Sequence, residues 1–241
     1  MKRLAFILAL TLAAAISPRP AEEEEPRPSL GAGKSAQPPP ELRFSRLLVM
    51  PFARAPVRGD LWQCPRCGKI LRGCPIDDGA EATLSNLLLD RFQNHPGFTL
   101  VSQEELNQAI QAIPEPELTQ ARLDPNFPIV LAERLKAEAA LIPTVSCFRE
   151  RLGNALASGR PAAVAFELDL VIVADRRVVW SGSYEEEQKA LFENLLQART
   201  FFRRGAKWVT VDVLATDGMA KTMAAFPGGA GLNPAPTQTT P

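Results

Sequence analysis

Five apolar residues at strictly alternating positions, Val164, Phe166, Leu168, Leu170 and Ile172, constrain the fold of this chain more than any other feature. Side chains two apart on a strand point the same way, so these five form one buried face. Glu167 and Asp169 fall between them, on an opposite face that should be at least partly wet. Asp175-Arg176-Arg177 is a polar break, and Val178, Val179, Trp180 and Tyr184 carry a second strand back. Residues 161–188 therefore read as a long β-hairpin around which the remaining elements must pack.

Upstream of the hairpin, strands and helices alternate. Residues 46–52, with Leu47, Leu48, Val49 and Phe52, form a first core strand that Pro51 ends or bulges. Asp78 is the expected N-cap of a helix carrying Leu84, Leu87, Leu88, Arg91 and Phe92, which stops near Asn94-His95-Pro96-Gly97. Residues 98–101 form a second strand. Ser102 with Glu105 three residues on makes a capping box for a helix running to Ile113. Pro114-Glu115-Pro116 breaks it, residues 117–126 are irregular or a short helix, and residues 128–139 form a third helix. Residues 140–148 make a third strand. After the hairpin come helices over 191–202 and 208–222. The predicted class is α/β: one sandwich domain with a mixed sheet, its later strands antiparallel and helices packed on it.

The ends of the chain have a different composition. Lys2 and Arg3 precede an apolar run, residues 4–16, that is shorter than the roughly 20 residues of a membrane span. Ala13-Ala14-Ala15 supplies a cleavage site, so residues 1–15 read as a secretory signal peptide. No cysteine lies near that point, as a lipoprotein signal would require. Loss of residues 1–15 would leave 25 basic against 27 acidic side chains, a formal charge of −2 that gives no general attraction to nucleic acid or anionic lipid. Residues 16–40, with Glu22-Glu23-Glu24-Glu25 and Pro38-Pro39-Pro40, read as a disordered linker, and 227–241 as a disordered tail. The α/β domain then spans 41–226, interrupted by an insertion at 53–79. The expected location is periplasmic or secreted, with no transmembrane span in the mature chain.

Three of the four cysteines lie in that insertion. Cys64-Pro65-Arg66-Cys67-Gly68 places two thiolates where one turn can offer both to a metal. Cys74 and Cys147 would complete a set for one structural zinc. An oxidising compartment favours disulfides instead, with Cys64–Cys67 and Cys74–Cys147 as the pairs. A third reading is a thiol-disulfide oxidoreductase using Cys64 and Cys67, with Pro143 as the cis proline that faces them. Gly68, Gly73 and Pro75 interrupt the helix that would lower a thiol pKa there. All three readings stay open on the sequence alone.

Other candidates are weaker. Glu185, Glu186 and Glu187 with Asp169 and Glu167 could form a carboxylate cluster, but three adjacent glutamates alternate in direction on a strand and do not converge, so a solvated strand end is expected. Gly228-Gly229-Ala230-Gly231 has no strand before it and is no phosphate loop. Neither a Gly-Lys-Ser/Thr loop nor a GxSxG elbow occurs, and His95 has no evident catalytic partner. Arg199, Arg203, Arg204 and Lys207, interleaved with Phe201, Phe202 and Trp208, form a basic cluster. It reads as a complement to a helix dipole beside core aromatics, or as a docking face for an acidic protein or anionic envelope component.

The order of elements resembles a group of exported bacterial proteins that includes the TolB amino-terminal domain, CsgG and the lipoprotein activators of penicillin-binding proteins. The resemblance rests on the strand 47–52, the helix 84–92, the strand and helix 98–113, the strand from Ala140 and the return strand from Val178. It implies a small α/β sandwich and a non-enzymatic envelope role, binding partner proteins in assembly, secretion or wall synthesis. The cysteine insertion is outside the shared pattern, and fold likeness alone does not transfer an activity.

Overall fold

The structure, a computed structural model, describes residues 44–92, 97–153, 158–188 and 209–227. The signal-like segment, the linker, His95, the helix expected over 191–202, Arg199, Arg203, Arg204, Lys207, Trp208 and the tail from residue 228 lie outside the described residues.

The sheet has six strands and is mixed, as expected. Its spine is β1 (Arg46–Val49), with β5 (Thr99–Leu100) on one side and β6 (Ala139–Arg149) on the other, both parallel to it. Next come β9 (Ala163–Ile172), antiparallel to β6, and β10 (Arg177–Glu187), antiparallel to β9. A short β2 (Ala53–Arg54) continues beside β6 at Thr144 and Val145. The parallel neighbours are reached by helical crossovers: α1 (Ala80–Phe92) between β1 and β5, then α2 (Gln103–Gln111), α3 (Glu115–Ala121) and α4 (Phe127–Arg134) between β5 and β6. The helix α5 (Val211–Met223) follows the hairpin. Small two-stranded pairs, β3 (Leu61–Gln63) with β4 (Ile70–Arg72) and β7 (Leu152–Gly153) with β8 (Ser158–Arg160), stand off the main sheet.

Local chemistry accounts for most of these boundaries. The Ser102 hydroxyl accepts from the Glu105 amide while the Glu105 carboxylate accepts from the Ser102 amide at 2.9 Å, closing the capping box expected there. Pro116 sits in the first turn of α3, where its missing N–H costs nothing. The helix α1 begins one residue later than expected. Gly79, at φ +83°, accepts from the Thr83 amide at 3.0 Å, and Asp78 lies outside the helix, exposed and 3.6 Å from Arg54. The third helix ends at Arg134, short of residue 139, because Lys136 turns to φ +54° and Ala139 joins the sheet.

One face of the sheet behaves as the alternation predicts. Val164, Phe166, Leu168 and Leu170 pack with Leu47 and Leu141 against Leu84, Leu88 and Phe92 of α1 and Leu214, Ala215 and Met219 of α5. The helix α5 comes close to β10 because Gly218 has no side chain: a Cβ there would lie 2.3 Å from the Tyr184 ring. The second face is covered in two halves. Leu48, Ala140, Ile142 and Val171 meet Leu106 of α2 and Ile129, Leu131 and Ala132 of α4. The other half, around Ala163, Ala165, Glu167 and Asp169, lies under the insertion. The expected wet face is thus corrected: Glu167 is 1% and Asp169 0% exposed, because residues 53–79 fold over them.

Candidate functional site

The insertion covers the sheet through the β3–β4 hairpin. Trp62 and Leu71 face inward and are buried with Cys64, while Leu61 and Ile70 point out and are exposed. The hairpin loop is a tight knuckle. The Cys64 amide donates to the Lys69 carbonyl at 2.8 Å and the Gly68 amide donates back to the Cys64 carbonyl at 3.0 Å. Gly68 takes φ +75°, a conformation that suits glycine. This folding aims both thiols at the middle of β9.

There they meet the two buried carboxylates. The Cys67 thiol donates to Glu167 Oε1 at 2.7 Å and the Cys64 thiol to Asp169 Oδ2 at 3.3 Å. One donor atom from each of Cys64, Cys67, Glu167 and Asp169 lies within 4.8 Å of the others. Asp169 is held further by the Ser181 hydroxyl, 2.6 Å from Oδ1, and by Arg66 Nε, 2.9 Å from Oδ2. Arg66 Nη2 also donates to the Thr144 hydroxyl at 3.1 Å. Lys69 donates to the Ser181 carbonyl and the Ser183 hydroxyl, and its ammonium stands 4.0 Å from Glu167. Glu167 Oε2 is buried with no hydrogen-bond partner. Burial pushes both thiols above their ordinary range, and the Glu167 side chain adds to the rise. Backbone amides work against it: those of Arg66 and Cys67 act on the Cys64 sulfur and that of Lys69 on Cys67, favouring the thiolate.

The other two cysteines are elsewhere. Cys74 and Cys147 form a disulfide with Cα atoms 4.6 Å apart, which clips the insertion to β6 beside Ala163 and Ala165. The four sulfurs therefore do not assemble as one metal set, since those of Cys74 and Cys147 are bonded to each other. Cys64 and Cys67 are free thiols, not a bridge. Ser146 forms a bulge in β6, and its hydroxyl donates to the Arg72 carbonyl at 2.8 Å, fastening β4 to the sheet next to the disulfide.

The redox reading meets three obstacles. No helix starts behind Cys64, whose loop returns directly into β4. No peptide bond among the described residues is cis, so Pro143 is trans. Pro143 also alternates with Thr144, the residue that contacts Arg66, and so falls on the opposite side of the sheet from the thiols.

Nor is the strand end freely solvated. Glu187 pairs with Arg72 at 3.0 Å and Arg149 at 2.7 Å, and the Glu185 carboxylate accepts from the Arg72 amide at 2.9 Å. Sequence reasoning missed Glu167 and Asp169 as partners of the knuckle. The available signal was two acids at i and i+2 inside an otherwise apolar strand, in a chain whose CPxCG motif lacked a second half.

No family model matches the sequence, and no curated protein matches it. Among solved structures the chain is similar to the LpoB C-terminal domain from Salmonella enterica, at 24% identity over 61% of this chain and 86% of that one, with a TM-score of 0.35. It is similar to lipoprotein GNA1162 from Neisseria meningitidis at 14% identity, covering 67% of this chain and 99% of that one, with a TM-score of 0.39. The PelC dodecamer from Paraburkholderia phytofirmans is similar at 15% identity over 78% and 92% of the two chains, with a TM-score of 0.37.

Proposed function

We propose that this chain is a non-enzymatic protein of the bacterial cell envelope, exported and then tethered by its Pro- and Glu-rich segment, that acts by binding other envelope proteins during assembly, secretion or wall synthesis. The observation that carries this reading is the Cys74–Cys147 disulfide, which joins the insertion to a central strand. A stable bridge of that kind belongs to an oxidising compartment. The basic start and apolar run of residues 1–16 agree with export. In the polar cluster Cys64, Glu167 and Asp169 are each no more than 1% exposed and Cys67 is half-buried, a packing that suits a structural role for the cluster. Among the described residues no helix is long and apolar enough to cross a membrane. The likeness to TolB and CsgG expected from the sequence remains part of this proposal.

The test is site-specific photo-crosslinking in cells from the exposed apolar positions Leu61, Ile70, Leu123 and Leu152, using the full chain with its own leader. The reading expects the oxidised protein in the envelope fraction, with a cross-link to an envelope protein from at least one position that a glutamate substitution beside it abolishes. A cytoplasmic, reduced protein would overturn it, as would disulfide reductase activity that depends on Cys64.

A further inference from the structure

We propose that Cys64, Cys67, Glu167 and Asp169 bind one Zn2+ ion, which fastens the tip of the β3–β4 hairpin to the centre of β9. The inference is independent of which partner the protein binds.

Three features of the cluster point to a metal. The donor set is two sulfurs and two carboxylate oxygens within 4.8 Å of one another. Zinc with bonds of about 2.3 Å to sulfur and 2.0–2.2 Å to oxygen spans a tetrahedron with edges of about 3.3–3.8 Å. The Cys64–Asp169 separation of 3.3 Å already fits that size. The Cys67–Glu167 pair, at 2.7 Å, needs to open by only about 1 Å. Second, Glu167 is 1% exposed and carries an oxygen with no partner. A buried carboxylate oxygen without a hydrogen bond is costly, and coordination would satisfy it. Third, Ser181 and Arg66 already orient Asp169, as outer groups orient metal ligands elsewhere.

The charges also balance. With protonated thiols, Glu167 and Asp169 face Arg66 and Lys69, two negative charges against two positive. Zinc entering as Zn2+ displaces one proton from each thiol, and the two thiolates offset the ion. The site is neutral in both forms, and two protons leave per ion bound. Thiolate sulfur selects against calcium and magnesium. Four protein ligands leave no open position, so the ion would be structural and not catalytic. Together with the disulfide it would hold the insertion at both ends: Cys74–Cys147 at its base, the metal at its tip.

The test uses the full chain, purified without chelator and then stripped of metal under reducing conditions that spare the buried disulfide, and titrated with Co2+ and Zn2+. One equivalent of Co2+ should produce thiolate charge-transfer absorption and the visible bands of a tetrahedral ion, both displaced by one equivalent of Zn2+. Cys67→Ser should abolish the charge-transfer band or weaken binding at least 100-fold. Glu167→Gln, which keeps size and shape, should weaken binding at least 10-fold while far- and near-ultraviolet circular dichroism stay unchanged. The Cys74→Ala/Cys147→Ala double variant should still bind one ion, which separates this site from a four-cysteine set. Absence of a charge-transfer band, parental affinity in Glu167→Gln, or a Cys64–Cys67 disulfide in protein taken directly from cells would each overturn the proposal.

Discussion

Replacing Cys74 and Cys147 together by alanine should cost this protein a large part of its stability. The bridge closes a loop with a sequence separation of 73 residues. In the chain-entropy treatment a loop of that size restricts the unfolded state by about 15 cal/mol/K, or about 4 kcal/mol at room temperature. Alanine is the right replacement because Cys147 is fully buried between Ala163 and Ala165, where a serine hydroxyl would need a partner. Guanidinium unfolding of parent and double variant, followed by fluorescence and circular dichroism, measures the difference. The expected loss is about 2–5 kcal/mol. For a domain of this size that corresponds to a melting temperature lower by roughly 5–15 °C. The slope against denaturant should rise as well, because the released unfolded chain exposes more surface. A loss below about 1 kcal/mol with an unchanged slope would refute the reasoning, since the insertion would then be held by its other contacts alone.

Three further outcomes are expected. Gly218→Ala should destabilise by about 1–3 kcal/mol despite alanine's better helix propensity, because its Cβ would lie 2.3 Å from the Tyr184 ring; an equal or higher melting temperature would contradict the close packing of α5 on β10. Arg66→Leu should cost about 3 kcal/mol in chemical denaturation, because it leaves the fully buried Asp169 without its guanidinium partner; a neutral result would mean that Ser181 and the Cys64 thiol satisfy the charge without it. The Arg54 guanidinium holds the Glu81 carboxyl below its ordinary value near 4.5. Its folded pKa is depressed, so its stabilisation is complete above that value and is lost as pH falls through the folded pKa. The stability gap between parent and Glu81→Gln should therefore be constant from neutral pH to about 5 and shrink on further acidification; a gap that widens in acid would contradict the pairing.

Much of the fold was legible because it is written in short-range chemistry. The alternation from Val164 to Ile172 places β9, the Ser102 and Glu105 pair starts α2, and the prolines at 114 and 116 divide α2 from α3. The mixed sheet follows from helical connections early in the chain and a direct hairpin late. What alternation cannot say is whether a face is covered. Glu167 and Asp169 alternate as a solvated face would, yet the knuckle about a hundred residues earlier lies on them. The bulge at Ser146 was likewise invisible, because it answers to a carbonyl on β4 and not to its neighbours in sequence. The cysteine pairing was open for the same reason: spacing identifies the knuckle, but only the path of the insertion back to β6 brings Cys74 to Cys147.

The most direct measurement on the whole account is thiol mapping of the protein isolated from its native envelope fraction, by alkylation before and after reduction and peptide mass analysis. The account predicts a linked Cys74–Cys147 peptide and two reduced cysteines, Cys64 and Cys67, of which the buried Cys64 resists alkylation until the protein is unfolded. Free alkylation of Cys74 and Cys147 without reduction would contradict both the clasp on β6 and the oxidising location.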